Sequence, residues 1–249
     1  MNCIFITVRT GSSRLPNKSM LDLCGKSSIE WLIENLKKSK KADRVILCTT
    51  CLVEDDVLCN IAAKHEIDYF RGSSEDKLSR WLGACKKYEV DFFVNVDGDD
   101  LFFDYELADH VISQYNTSYP DFIDGQGYLF NDVYGMTHLA LDNVCQKKET
   151  TTTEYVKPHF ENATWFIEEV KDYNPKWAKR EIRMTLDYEE DLQFFEAVIN
   201  GLGEQELTFD NIANFLEEHP TVVDLNWHME EEWKKRQSHQ IKMEKSDVK

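Results

Sequence analysis

The sequence predicts a three-layer α/β/α sandwich built on a mainly parallel sheet. Short apolar runs and amphipathic stretches alternate through the first 120 residues. Strict alternation of this kind gives a parallel sheet covered on both faces. At 249 residues and 42% hydrophobic content, the chain can fill one large domain with a sizeable core. No internal repeat and no linker rich in Gly, Pro or Ser divides it.

Residues 3–8 are apolar and read as a buried first strand. Ile29, Leu32, Ile33 and Leu36 recur at i, i+3, i+4 and i+7, which marks a helix. Residues 44–49, 67–70 and 91–96 are further short strands. Between them, Val57, Leu58, Ile61 and Ala62, then Leu78, Trp81, Leu82 and Cys85, mark two helices. After Tyr119-Pro120 the alternation loosens, and residues 121–127 are polar. Residues 134–141 read as a strand and 143–148 as the start of a short helix. Residues 165–170 and 181–186 are strand-like. Leu192, Phe195 and Ile199 mark one helix; Phe209, Ile212, Phe215 and Leu216 mark another, ending at Pro220. From Met229 the chain is almost wholly polar, a frayed helix or a disordered tail. The domain is therefore drawn at 1–228, with a tail at 229–249.

With 29 basic and 46 acidic residues the net charge is −17, which disfavours a general nucleic-acid binder. No apolar run approaches the roughly 18–20 residues that span a bilayer. The first residues lack the basic stretch and cleavage site of a signal peptide. The expectation is a cytoplasmic protein with no membrane partner. Among seven cysteines, Cys48-Thr49-Thr50-Cys51 has the C-x-x-C form. No second pair follows at zinc-site spacing, so reduced and mostly buried thiols are expected, with a redox role as the alternative.

The segment Arg9-Thr10-Gly11-Ser12-Ser13-Arg14-Leu15-Pro16-Asn17-Lys18 lies between the first strand and the first helix. Gly11, Ser12 and Ser13 can turn backbone N–H groups towards an anion, and Arg14 and Lys18 add charge. A polyphosphate cradle is the functional reading; a solvated basic loop is the bland one. It is neither a P-loop nor a G-x-G-x-x-G turn. Asp97-Gly98-Asp99-Asp100 follows the strand at 91–96, where carboxylates are placed to hold Mg²⁺ beside phosphates or to form an ordinary acidic turn. Asp187 ends the stretch at 181–186; it is a second metal carboxylate or a helix N-cap, with Glu190 at the capping-box position.

The first segment resembles the R-x-G-S-[ST]-R-L-P-x-K signature of cytidylyltransferases that activate sugars for surface polysaccharides. These are the spore-coat polysaccharide, 3-deoxy-manno-octulosonate and acylneuraminate types. Further motifs follow in the family's order over about residues 2–228. Gly98-Asp99 matches the pair whose Asp holds the metal. Asp187 matches the first Asp of a D-x-x-E-D-L run that supplies the other metal contact. Arg14 and Lys18 match the triphosphate-binding residues, and Arg9, Gly11, Ser12 and Ser13 lie in the same signature. Arg71-Gly72-Ser73-Ser74-Glu75-Asp76, with Arg80, resembles a segment near the nucleotide, which implicates Arg71, Ser73 and Asp76. Glu154-Tyr155-Val156-Lys157-Pro158 is similar to an E-H-V-T-P segment, with Tyr155 and Lys157 departing; Glu154 and Lys157 become acceptor-side residues. Residues 211–219 resemble the final helix.

The resemblance implies a nucleotide-diphosphosugar transferase-like fold with a mixed, mainly parallel sheet. It also implies CTP as donor, Mg²⁺ (or Mn²⁺) on Asp99 and Asp187, Lys18 at the α-phosphate and Arg14 on the outer phosphates. A small-molecule acceptor is the other partner, and a homodimer is allowed. Asp97 departs from the sugar-acid enzymes, which carry glutamine or threonine there. If it faces the acceptor it would repel a bare carboxylate, favouring a phosphorylated acceptor and a CDP-linked product; otherwise it caps the following turn. A CMP-sugar synthetase is the alternative. Asp97-Gly98-Asp99 also has the D-x-D form of a metal-dependent glycosyltransferase, which has no need of the early cradle. A degenerate binding module is a third reading.

Overall fold

A computed structural model describes residues 1–12, 14–125, 133–153, 156–160, 165–173 and 182–236. Its order is β1 (Asn2–Thr7), β2 (Asp22–Leu23), β3 (Lys26–Ser27), α1 (Ser28–Leu36), β4 (Arg44–Thr50), α2 (Asp56–Lys64), β5 (Asp68–Gly72), α3 (Lys77–Tyr88) and β6 (Phe92–Asp97). There follow α4 (Tyr105–Ser118), β7 (Phe122–Gly125), β8 (Val133–Thr137), α5 (His138–Lys147), β9 (Ile167–Glu169), α6 (Glu189–Leu202) and α7 (Phe209–Glu218). Seven strands form one sheet in the order β5-β4-β1-β6-β8-β7-β9; β2 and β3 pair separately as a hairpin. β5, β4, β1 and β6 run parallel, and β8 is antiparallel to both of its neighbours. β9 lies parallel to β7 at the edge. The expected mixed, mainly parallel sheet is what the chain forms.

The central strands are apolar on both faces because helices cover both. Ile4, Ile6, Val94 and Val96 pack with α1, α2 and α4, through Ile29, Leu32, Leu58, Leu107 and Val111. Cys3, Phe5 and Phe93 face the other way, onto Leu78, Trp81 and Ala84 of α3 and Ala140 and Leu141 of α5. A third cluster joins α6 and α7 to Leu15, Leu23, Leu101 and Phe102, beside α1. All seven cysteines are free, and Cys48 is buried while Cys51 is exposed, so the C-x-x-C pair is not a disulfide. No helix among the described residues is long and apolar enough to cross a membrane.

Three expectations need correction. The stretch 134–141 is not one strand: β8 ends at Thr137, whose hydroxyl accepts the Ala140 N–H (3.1 Å) and starts α5. An N-cap within an apolar run turns the chain from strand to helix without a polar break. Residues 182–187 belong to no strand; the Leu186 N–H donates to the Asp99 carbonyl (2.9 Å), in a loop rather than a ladder. The polar stretch at 121–127 contains β7, buried between β8 and β9. Residues 230–236 are helical, so the frayed-helix reading fits the start of the tail, and 237–249 lie outside the described residues.

Candidate active site

β4 lies on one side of β1 and β6 on the other, so the order of connection reverses there. Open α/β sheets bind ligands beyond the carboxyl ends of their strands at such a reversal. Three segments meet at this point: the loop after β1, the Asp97–Asp100 turn after β6, and residues 182–187. Gly98 allows the approach. A Cβ there would sit 2.6 Å from Val8 Cβ, and the Gly98 N–H donates to the Thr7 carbonyl (2.9 Å).

Lys18 opens a 3₁₀ turn, Lys18–Met20, whose first carbonyl accepts the hydroxyl of buried Ser28 at the start of α1 (2.6 Å). Its ammonium donates to Asp99 Oδ2 (2.5 Å) and Asp187 Oδ1 (2.7 Å). Arg14 Nη2 donates to the same Asp187 oxygen (2.6 Å). Four residues from three segments thus form one ion cluster. Burial alone would raise the Asp187 carboxyl, but Lys18 and Arg14 hold it below its ordinary value. Asp99 moves the other way, pushed up by burial and by Asp187 and Asp97 against the pull of Lys18. Lys18 is raised, because its two carboxylates outweigh its burial.

Asp187 is not the helix cap. Tyr188 is the N-cap of α6, and Asp191 at N3 accepts from both the Asp187 N–H (2.8 Å) and the Tyr188 N–H (2.9 Å). That register, one residue later than the Asp187–Glu190 reading, leaves the Asp187 side chain to the cations. Beneath it lies Arg183, 2% exposed. Arg183 bonds Asp191 through Nε (2.8 Å) and Nη2 (3.1 Å), and reaches Asp187 (3.5 Å) and Glu230 (3.2 Å). Asn226 closes this knot on the Arg183 carbonyl and Asp191. Arg183 escaped the sequence reading, although an arginine inside the apolar alternation Ile182, Met184, Leu186 is a signal: such residues are almost never fully buried unless paired.

The donor set suits a hard cation. No cluster of three or more His, Cys, Asp or Glu forms a metal site among the described residues. Magnesium needs no such cage; one or two carboxylates suffice when phosphate and water complete the shell. Arg14 Nε and Ser19 Oγ are buried with no hydrogen-bond partner among the described residues, as donors awaiting an anion would be. A Cβ on Gly11 would meet nothing within 4 Å, so the edge of the loop is open.

The remaining expected residues fall into two groups. Asp97 takes its partners outside the Lys18 cluster: its Oδ1 accepts from Asn95 Nδ2 (3.3 Å) and pairs with Lys77 Nζ (3.5 Å). Asp97 and Asp99 therefore serve different cations, unlike the carboxylates of a shared D-x-D site. The others support the rim. Arg71 clamps the end of β4, donating to the Thr50 and Leu52 carbonyls and to Asp56. Asp76 caps α3 through the Ser79 N–H (3.1 Å) and pairs with Lys148 (2.5 Å). Ser73 accepts from the Asp76 N–H, Ser12 from the Leu15 N–H, and Arg9 reaches the Ser74 carbonyl (3.2 Å). Lys157 pairs with Asp124 (2.8 Å). Ser13 and Glu154 lie outside the described residues. Asp55, unremarked in the acidic run Glu54-Asp55-Asp56, is buried and ties the cradle down. It accepts the Thr10 N–H (2.8 Å) and hydroxyl (2.7 Å), and the Thr50 hydroxyl.

Comparison with known proteins decides between the readings of this geometry. A family model described as cytidylyltransferase matches residues 3–206. The chain belongs to the cytidylyltransferase family. It is thus a nucleotidyltransferase of the CTP-using type. A Methanocaldococcus jannaschii protein of uncharacterised function is 31% identical over 227 residues, covering 89% of this chain and 92% of its own. The spore coat polysaccharide biosynthesis protein SpsF of Bacillus subtilis is 24% identical, covering 88% and 95%. The 3-deoxy-manno-octulosonate cytidylyltransferase of Aliivibrio salmonicida is 32% identical over 104 residues, 39% of each chain. Among solved structures, a cytidylyltransferase from Leptospira borgpetersenii shares the fold at a TM-score of 0.80 and 24% identity, over 89% and 96% of the two chains. A CMP-2-keto-3-deoxy-manno-octonic acid synthetase solved with CTP shares it at 0.63 and 16%, over 80% and 98%.

Proposed function

We propose that this cytidylyltransferase transfers CMP from CTP to a hydroxyl of a sugar acid, releasing pyrophosphate, for a surface polysaccharide. The observation that carries the reading is the Lys18–Asp99–Asp187–Arg14 cluster at the strand-order reversal. Both cations are held by carboxylates that a nucleotide and its metal would claim. On CTP binding, Arg14 and the Gly11 and Ser12 amides hold the outer phosphates, and Lys18 swings its charge to the α-phosphate. Asp99 and Asp187 would hold Mg²⁺ or Mn²⁺, which supplies further charge neutralisation at the phosphates. The acceptor oxygen forms its bond to the α-phosphorus in line as the bond to pyrophosphate breaks. The hydroxyl proton leaves to solvent or a carboxylate. Catalysis is then mostly positioning and charge neutralisation.

The expectation of a phosphorylated acceptor rested on Asp97 repelling a carboxylate. With Lys77 at 3.5 Å that corner carries a compensating cation, so the objection falls. The relatives that name a sugar acid then favour the hydroxyl acceptor.

The test is pyrophosphate release from each of the four nucleoside triphosphates with sugar-acid and phosphorylated acceptors, followed by ³¹P NMR of the product. The expected result is CTP-dependent turnover, abolished by chelator and restored by Mg²⁺ or Mn²⁺, giving one phosphodiester resonance. Full rate in excess chelator, or a preference for UTP or ATP, would overturn the reading. Two coupled resonances would mark a CDP-linked product and return the acceptor to the phosphorylated class.

A further inference from the structure

One buried carboxylate joins the loop after β5 to the loop after α5. Asp76 Oδ1 accepts the Ser79 N–H (3.1 Å) and the Thr153 hydroxyl (2.8 Å), and its Oδ2 accepts the Lys148 ammonium (2.5 Å). Asp76 and Thr153 are buried, and the Lys148 side chain is 8% exposed. Lys148 also donates to the Thr150 carbonyl (2.9 Å), which draws its own loop onto the pair. Thr153 spends every polar group it has on the start of α3. Its N–H donates to the Glu75 carbonyl (3.0 Å) and its carbonyl accepts the Lys77 N–H (3.3 Å). Its hydroxyl accepts the Leu78 N–H (3.1 Å) while giving its one proton to Asp76. The amides that begin a helix have no partner within it. Here Thr153 takes those of Lys77 and Leu78, and Asp76 takes that of Ser79, so an anion finds none of the three open.

A second anchor follows closely in sequence. Val156 and Phe160 are buried in the core cluster that holds Phe122, on which Phe160 stacks (4.5 Å), and Lys157 pairs with Asp124 of β7 (2.8 Å). β7 runs in the same direction as β6, since both are antiparallel to β8. Asp124, next to the end of β7, and the start of α3, just after β5, therefore lie at the carboxyl edge of the sheet. That edge carries the Lys18 cluster and is where such sheets bind ligands. The cradle follows β1 and is tied to β4 through Asp55, whereas Lys157 ends at β7, past β6 in the strand order. The substrate left for that end is the acceptor.

We propose that Lys148, Asp76 and Thr153 are positioning residues for the acceptor: they fix the segment that follows Thr153 against the carboxyl edge and touch neither substrate themselves. This rests on the cytidylyl-transfer reading above. It moves Asp76 from the nucleotide, to which its motif points, to the support of the other substrate, because both of its oxygens are engaged within the protein.

The experiment uses the full chain with CTP and the sugar acid turned over fastest among 3-deoxy-manno-octulosonate and N-acetylneuraminate. Thr153→Val keeps the shape of the side chain and deletes both hydroxyl bonds. It should raise the acceptor KM about threefold to tenfold, the worth of one net hydrogen bond, with the CTP KM within about twofold. Thr153→Ser, which keeps the hydroxyl, should restore the acceptor KM. Lys148→Gln keeps a donor for Asp76 without the ammonium and should give the same acceptor-only rise; it decides the matter if Thr153→Val does not fold. An unchanged acceptor KM in a folded Thr153→Val or Lys148→Gln enzyme overturns the positioning role. An equal rise in the CTP KM also overturns it and returns Asp76 to the nucleotide. Turnover of no sugar acid by wild type overturns the functional reading, and this inference with it.

Discussion

Asp99 and Asp187 share one ammonium yet differ in what they do for the fold. Asp187 is 1% exposed and meets Lys18, Arg14 and Arg183. Removing its charge leaves three cations short of a counterion in a buried place, a change that costs roughly 3–5 kcal/mol. Asp99 is a fifth exposed and is pushed towards its neutral form by burial and neighbouring carboxylates. An amide there removes a charge that the fold holds at a cost. The expected outcome is a split: Asp187→Asn lowers both activity and unfolding free energy, while Asp99→Asn lowers turnover by at least about a hundredfold with stability nearly unchanged. Steady-state rates beside urea unfolding measure both. A larger stability loss for Asp99→Asn would invert the assignment. At this scale the sequence reading found Arg14, Lys18, Asp99 and Asp187, because family motifs lie where strands end. It missed Arg183, whose carboxylate partners Asp187 and Asp191 are near in sequence but whose burial is set by the later chain at Asn226 and Glu230, and it missed Asn95, whose partner Thr7 meets it only through the sheet register.

At the scale of elements, the cradle loop is held from below by a single carboxylate. Asp55 bridges Thr10 in the loop to Thr50 at the end of β4, so one side chain sets the distance between two loops of the nucleotide mouth. Burial would raise its carboxyl, but the Thr50 and Thr10 hydrogen bonds hold it below the ordinary value. A carboxyl depressed in the folded state stabilises it fully above its unfolded pKa of about 4, and the contribution fades as pH falls through the folded value. Wild type should therefore exceed Asp55→Asn in stability at pH 7, by about 1–3 kcal/mol for the lost acceptors. The gap should narrow below about pH 4. Chemical denaturation of both proteins between pH 3 and 7, with CTP binding at pH 7, tests this; a gap independent of pH would show that the charge is irrelevant. Asp55 was illegible because nothing local separates it from Glu54 and Asp56. The regular elements were legible where apolar spacing is long, as in β1, β4, β6, α6 and α7. They failed where a cap lies inside an apolar run, as at Thr137, or where a short strand is polar in sequence, as in β7.

For the whole molecule, the reversal of strand order explains why the site has two sides. Lys18, Asp99 and Asp187 meet beside α6, whose Asp191 accepts the Asp187 N–H, and Asp97 pairs with Lys77 at the start of α3. The α6 side depends on the chain beyond the family match, which stops at residue 206. Ile212 and Leu216 of α7 are buried with Phe195 and Ile199 of α6. Further on, Asn226 donates to the Arg183 carbonyl and to Asp191, and Glu230 accepts from Arg183. These bonds hold Arg183, which lies under Asp187, so the C-terminal segment reaches the active site through one buried arginine. Ending the chain after Leu225 removes Asn226 and Glu230 but keeps α7. The loss of Glu230 from the buried Arg183 guanidinium, together with the Asn226 bonds to the Arg183 carbonyl and Asp191, should cost several kcal/mol of stability, on the order of 3. It should also slow cytidylyl transfer more than it weakens CTP binding, because Asp187 loses its support while Arg14 and the loop amides stay. Asn226→Ala in the full chain should reproduce about 1–3 kcal/mol of that loss. Urea unfolding and steady-state kinetics on the three proteins separate the contributions. A shortened chain as stable and as fast as the full one would mean that Arg183 needs only Asp187 and Asp191, and that the site ends where the family match does.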